Sequence, residues 1–134
     1  VENGGQGSSR MTRINVVPVG ELTDRHLLAE YRELPRVYRL ARRWWDRGCP
    51  GELPLTYTMG EGHVRFFYNK LLWVFNRHHE LYGECLRRGF NVQPPRKGPD
   101  SGFEMSPLAL FNNWKPTTTA KAMNQSRIRE RLGG

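Results

Sequence analysis

The sequence predicts an all-α fold, a compact three-helix single domain with long loops. Apolar residues recur at three- and four-residue spacing over long stretches, and no strong period-two strand pattern appears. Between those stretches, residues 50–61 and 91–115 are rich in Pro and Gly, which punctuate helices and open loops. The 134 residues suit one domain, and a hydrophobic content of 37% supplies one modest core but not two.

The first ten residues, VENGGQGSSR, are polar, Gly/Ser-rich and aperiodic. They are expected to form a flexible leader, an expression remnant ahead of a natural start at Met11. Residues 12–22 should be extended or irregular, because Pro18 and Gly20 oppose a helix. Thr23 or Asp24 can cap a first helix that runs to about Arg47, where Gly48 and Pro50 stop it. Pro35, inside that helix, removes a backbone donor and should kink the axis. A second helix is expected from near Gly62 to Arg88, with Gly89 as its C-cap and an apolar stripe of Phe67, Leu71, Val74, Phe75, Leu81 and Cys85. The following loop carries Phe103, Met105, Leu108, Phe111 and Trp114, and so should pack onto the body. A third helix follows Pro116 and ends near Leu132. There is no internal repeat.

Lys and Arg number 21 against 13 Asp and Glu, a net charge of +8, which makes a polyanion the expected partner. The excess is mostly arginine, whose planar fork matches phosphate. The two cysteines, Cys49 and Cys85, form no CxxC pair and read as free thiols, which fits a cytoplasmic location. No apolar run approaches the ~20 residues of a membrane span, and no signal-peptide core is present, so a soluble protein with no membrane partner is expected. A metal site built from His63, His78, His79 and a cysteine is disfavoured, because adjacent histidines diverge on a helix and no carboxylate cluster accompanies them. No metal or organic cofactor is expected, and the chain should act as a monomer.

Projected at about 100° per residue, the first helix separates into two faces. Leu27, Tyr31, Leu34, Val37, Tyr38, Ala41, Trp44 and Trp45 form a core arc, and Arg25, Arg32, Arg36, Arg39, Arg43 and Arg47 oppose it. Like charges at these spacings destabilise a helix by a few tenths of a kcal/mol per pair, so the row reads as a phosphate-binding ridge. His26 and Glu33 border the two arcs, seven residues and hence two turns apart, and project in the same direction. The plain alternative for Glu33 is a surface ion pair with Arg32 or Arg36. For His26 it is a polar residue in the first helical turn.

The runs MTRIN (11–15), AEYRELPRV (29–37), GHVRFFYNKL (62–71) and ECLRRGFN (84–91) closely resemble the phage endonuclease V family of pyrimidine-dimer DNA glycosylases, the bacterial branch most of all. NQSRIRERL (124–132) is similar to the family's last DNA-contacting helix, so the likeness extends from Met11 to Leu132. The resemblance implies a DNA-repair glycosylase and AP lyase that kinks double-stranded DNA and extrudes a nucleotide. It implies loss of Met11 and use of the Thr12 α-amine as nucleophile, with Glu33 as catalytic carboxylate. Arg13, His26, Arg32 and Arg36 would hold the damaged strand, and Arg127 and Arg131 would be further DNA contacts. Many family members carry an aromatic, lysine-rich tail after the third helix; the sequence given ends at Gly134, and Trp44, Trp45 or Trp114 would have to substitute for it.

The chemistry suits that nucleophile. An α-amine titrates near ~8 and a lysine near ~10.4, so at neutral pH its free-base fraction is greater by roughly two orders of magnitude. Two rival readings remain open on the residues alone. One is a non-catalytic basic helical module that binds DNA; the other is a related glycosylase for another base lesion.

Overall fold

A computed structural model describes residues 13–96, 102–104 and 106–133. Among these residues four α-helical segments follow one another: α1 (Asp24–Glu33), α2 (Arg36–Asp46), α3 (Leu71–Arg87) and α4 (Thr118–Gly133). Segments α1 and α2 are the two halves of the predicted first helix, so the three-helix architecture stands, and no strand occurs among the described residues. The leader, Met11, Thr12 and Met105 lie outside the described residues.

The break between α1 and α2 has an identifiable chemistry. Pro35 has no N–H to give the Tyr31 carbonyl four residues earlier. His78 on α3 supplies the missing donor, its Nε2 lying 3.1 Å from that oxygen. The same imidazole stacks on the Tyr31 ring at 4.6 Å. Burial holds the His78 pKa down at about 4, so the ring is neutral and can be the tautomer that donates from Nε2. Leu34 and Pro35 keep helical dihedrals, and the chain crosses the break through the bonds Val37 N–H to Leu34 O and Tyr38 N–H to Pro35 O.

At its start, α1 is capped by Thr23, whose hydroxyl accepts from the His26 N–H at 3.2 Å. Both α2 and α3 end in the same paired pattern. In α3, Gly89 N–H reaches Leu86 O and Phe90 N–H reaches Cys85 O. Gly89 sits at φ +83°, as the left-handed C-cap requires. The second helix starts later than its sequence suggests, at Leu71 and not near Gly62. Gly62 takes φ +89° and the chain continues in a short 3-10 turn (Arg65–Phe67). That geometry turns Phe66 and Phe67 inward beside Tyr57, Trp73 and Trp114.

The core is built from the α1 and α2 arc, the inner side of α3, the 14–17 segment, and Ala120 and Ile128 of α4. Two assignments to this core change. Trp45 is 39% exposed and Leu108 is 83% exposed. Trp44 fills the single inward slot at the end of α2, where its indole N–H donates to Pro50 O at 3.0 Å. Leu108 begins a 3-10 turn that buries Leu110 instead. The rest of that loop does pack on the body, through Phe103 against Phe75 and Phe111.

A polar network runs through this core. Glu30 of α1 and Arg77 of α3 form an ion pair at 3.0 Å, with side chains only 1% and 4% exposed. Arg77 also donates to the Val17 carbonyl at 2.6 Å, and Asn15 donates to Glu30 at 2.9 Å. Removing one member of a buried pair leaves an uncompensated charge, which costs about 3–5 kcal/mol. Arg77→Met should therefore lose stability of about that size in urea titration. A loss below about 1 kcal/mol would show that Glu30 finds water or another partner.

Candidate active site

The segment leading into α1 is short, buried and without regular structure. Its backbone is satisfied by side chains, as buried peptide groups require. The Ile14 N–H donates to His63 Nε2 at 2.8 Å, and the Ile14 carbonyl accepts from the Tyr57 hydroxyl at 3.1 Å. Asn124 of α4 accepts from the Val16 and Val17 N–H groups at 2.7 and 3.2 Å, and donates to Asn15 Oδ1 at 2.8 Å. These bonds bring the 13–17 segment, the loop carrying Tyr57 and His63, and α4 to one place, and the bonds from Asn15 to Glu30 and from Arg77 to Val17 add α1 and α3.

Arg13 emerges from this clamp into a cationic cluster. Burial lowers its pKa first, and the charges of Arg131 and Arg127 lower it further, with Glu130 opposing. His26, in the first turn of α1, faces the same group. Burial lowers its pKa below the usual imidazole value, and Arg13, Arg131 and Arg25 add to that effect. Its Nδ1 is shielded from solvent and has no hydrogen-bond partner among the described residues. Arg127 is steadied by Glu130 at 3.3 Å, one turn along α4. Four of the residues singled out in the sequence, Arg13, His26, Arg127 and Arg131, are thus electrostatic neighbours although they come from three separate parts of the chain.

Glu33 ends α1, two turns beyond His26 and projecting in the same direction. It is half-buried and lies 3.7 Å from Arg36, so the expected surface ion pair with that residue is present. Arg32 and Arg36 border an open cavity of about 1140 Å3, which also takes in Tyr31, Pro35, Tyr82 and Gln93. The Tyr31 hydroxyl donates to the Gln93 carbonyl and ties the 91–96 loop to α1. Thr12 precedes Arg13 in the chain and lies outside the described residues.

Sequence reasoning missed Glu30, Arg77, Asn124, Tyr57 and His63 as the parts that hold this region together. A signal existed for three of them. Glu30 lies three and four residues from Leu27 and Leu34, Arg77 from Val74 and Leu81, and Asn124 four from both Ala120 and Ile128. Each occupies a core-facing position, and a polar group there needs a buried partner. Among the described residues no group of three or more His, Cys, Asp or Glu is arranged to hold a metal ion. No helix among them is long and apolar enough to cross a membrane.

A small helical domain whose converging arginines face outward beside a carboxylate has the build of a protein that works on a polyanion. The family model for pyrimidine dimer DNA glycosylase matches residues 11–98, and the chain belongs to that family. Membership makes damaged DNA the substrate class and dimer glycosylase activity the expected chemistry. The matched span includes Arg13, His26, Arg32, Glu33 and Arg36, whereas Arg127 and Arg131 lie beyond it and join the cluster by geometry.

Proposed function

We propose that the protein excises UV-induced cyclobutane pyrimidine dimers from double-stranded DNA and then cuts the strand, using the α-amine of Thr12 exposed after loss of Met11. The observation that carries this reading is the position of Arg13, the residue next to Thr12, within electrostatic reach of His26, Arg127 and Arg131, with His26 on the side of α1 toward which Glu33 also projects.

The amine attacks the sugar C1′ of the damaged nucleotide, and the C1′–N bond to the base breaks as the base leaves with a proton. The amine gives up one proton, and the ring oxygen O4′ takes one as the C1′–O4′ bond breaks and the sugar opens to a protonated Schiff base, the iminium. The iminium makes the C2′ proton acidic, and its removal expels the 3′ phosphate by β-elimination. The Glu33 carboxylate stabilises the cationic, oxocarbenium-like transition state and the iminium, and moves protons in the later steps. Arg13, Arg127 and Arg131 take phosphates on one side. Arg32 and Arg36 take them at the cavity, whose tyrosines and arginines suit an extruded base. A dimer already weakens stacking and pairing, so distorting the duplex costs least at the lesion. The chemistry requires no metal or organic cofactor.

Borohydride added during reaction tests this directly, since reducing the Schiff base links protein to DNA covalently. A non-catalytic DNA-binding module would bind and remain unlinked. A lesion panel separates dimer excision from another base lesion as the main substrate. The ridge has its own test. In Arg32→Ala/Arg36→Ala protein the log–log salt slope of DNA binding should fall by about 1.8, at ~0.9 for each phosphate no longer neutralised. An unchanged slope would place that face away from DNA.

A further inference from the structure

The buried imidazole of His63 has no part in the chemistry above, yet it holds the backbone nearest to the reacting amine. Its Nδ1 lies 2.7 Å from the Thr58 carbonyl, and its Nε2 lies 2.8 Å from the Ile14 nitrogen. A peptide N–H can only donate, so Nε2 must be the bare nitrogen and Nδ1 must carry the proton given to Thr58. The ring is therefore neutral in this arrangement. The Tyr57 hydroxyl grips the other side of the same residue through the Ile14 carbonyl. From Ile14 back to the nitrogen of residue 12 is two residues, a reach of at most about 7 Å. The amine is thus tethered closely to a point that His63 and Tyr57 fix.

We propose that His63 is a positioning residue for the nucleophile: by accepting the Ile14 N–H it sets the register from which the residue 12 amine reaches C1′, and its protonation releases that register without any contact with DNA. This rests on the amine mechanism proposed above. A proton on Nε2 would turn the acceptor into a donor facing another donor. The groups acting on the ring are the Thr58 carbonyl and the edge of Tyr57 from the loop, Arg13 from the 13–17 segment, and Arg127 from α4. Burial lowers the pKa of His63 below the ordinary imidazole value; Thr58 opposes this, and the two arginines add to it. The neutral form, and the stability it contributes, is complete above about pH 6.5, the unfolded value, and is lost as pH falls through the lower folded value.

The test uses protein beginning at Thr12 and follows single-turnover trapping with cyanoborohydride, which survives mild acid, on dimer-containing duplex at saturating enzyme, from about pH 8 down to about pH 5. Protonation of the amine alone gives a slope of about one in log rate against pH, and a second required deprotonation makes it approach two. Wild type should steepen in this way at the acid end. His63→Gln keeps an amide oxygen where Nε2 stood and does not titrate. It should retain most of the neutral-pH rate and stay at a slope of about one. His63→Phe has no acceptor and should be trapped roughly 10–100-fold more slowly at neutral pH while binding dimer DNA as wild type does. If His63→Phe does not fold, the contrast in slope between wild type and His63→Gln still decides. Equal slopes in those two proteins, or normal trapping of a folded His63→Phe, would overturn the proposal alone. Wild type that cleaves dimer DNA without being trapped would overturn the amine mechanism, and the positioning role with it.

Discussion

Glu33→Gln is expected to lower strand cleavage of dimer-containing DNA by about two to three orders of magnitude while leaving the fold and lesion binding in place. Glu33 is only half-buried and its ion pair with Arg36 spans 3.7 Å, and a pair so exposed contributes little to stability. Gln keeps the shape and loses the charge. In the proposed mechanism that charge matters most where positive charge develops, in the oxocarbenium-like transition state and the iminium that follows it. Binding should hold or tighten slightly, because one anion beside the phosphates is gone. Single-turnover nicking gives the rate, and fluorescence anisotropy of labelled duplex gives the affinity. Nicking at close to the wild-type rate would remove Glu33 from the mechanism and leave it as the ion-pair partner of Arg36.

A larger contrast is expected between protein beginning at Thr12 and protein retaining residues 1–11. The shorter form should excise dimers and be trapped by borohydride. In the longer form the Thr12 nitrogen is an amide, delocalised into its carbonyl, and is no nucleophile at neutral pH. The amine at Val1 has ordinary basicity but sits eleven residues upstream. A held nucleophile can have an effective molarity of about 10⁵ M or more, and a distant, unpositioned amine forfeits most of it. The longer form should therefore lose several orders of magnitude in trapping while still binding DNA through Arg13, Arg127 and Arg131. Equal activity would defeat the Thr12 assignment and direct attention to a lysine. Of the candidates, Lys70 has its ammonium 3.0 Å from both the Phe66 carbonyl and Asn69 Oδ1, and burial lowers its pKa. Lys121 is exposed on α4. N-terminal mass analysis of active protein would show directly whether the chain begins at Thr12.

Local pattern was enough for the inward faces and C-terminal ends of the first two predicted helices, because a helix face is specified by residues three and four apart. The apolar arc Leu27, Tyr31, Leu34, Val37, Tyr38 and Ala41 is buried as its spacing implies. Gly48 and Gly89 follow the two helix ends they were expected to follow. Where the fold departs from the pattern, the reason is equally local. Trp44 and Trp45 are neighbours in sequence, and only one of two adjacent helical residues can occupy an inward slot at a helix end. At Gly62 the backbone takes a left-handed conformation that the side-chain pattern does not reveal.

The sequence by itself determined the all-helical class, the basic face of the first helix, the two-turn relation between His26 and Glu33, and the likeness to the family through motifs that are each contiguous in the chain. Tertiary structure decided what those residues meet. Arg13 stands beside Arg127 and Arg131 only because Asn124, on the same helix as both arginines, clamps Val16 and Val17 from more than one hundred residues away. Likewise, His78 can replace the donor that Pro35 lacks only because α3 packs against α1. Periodicity tells which side of a helix turns inward but carries no information about what it will face. The partners of Glu30, Tyr31 and Ile14 are therefore settled by the packing of helices and loops that are distant in sequence, and the position offered to the amine of residue 12 is settled with them.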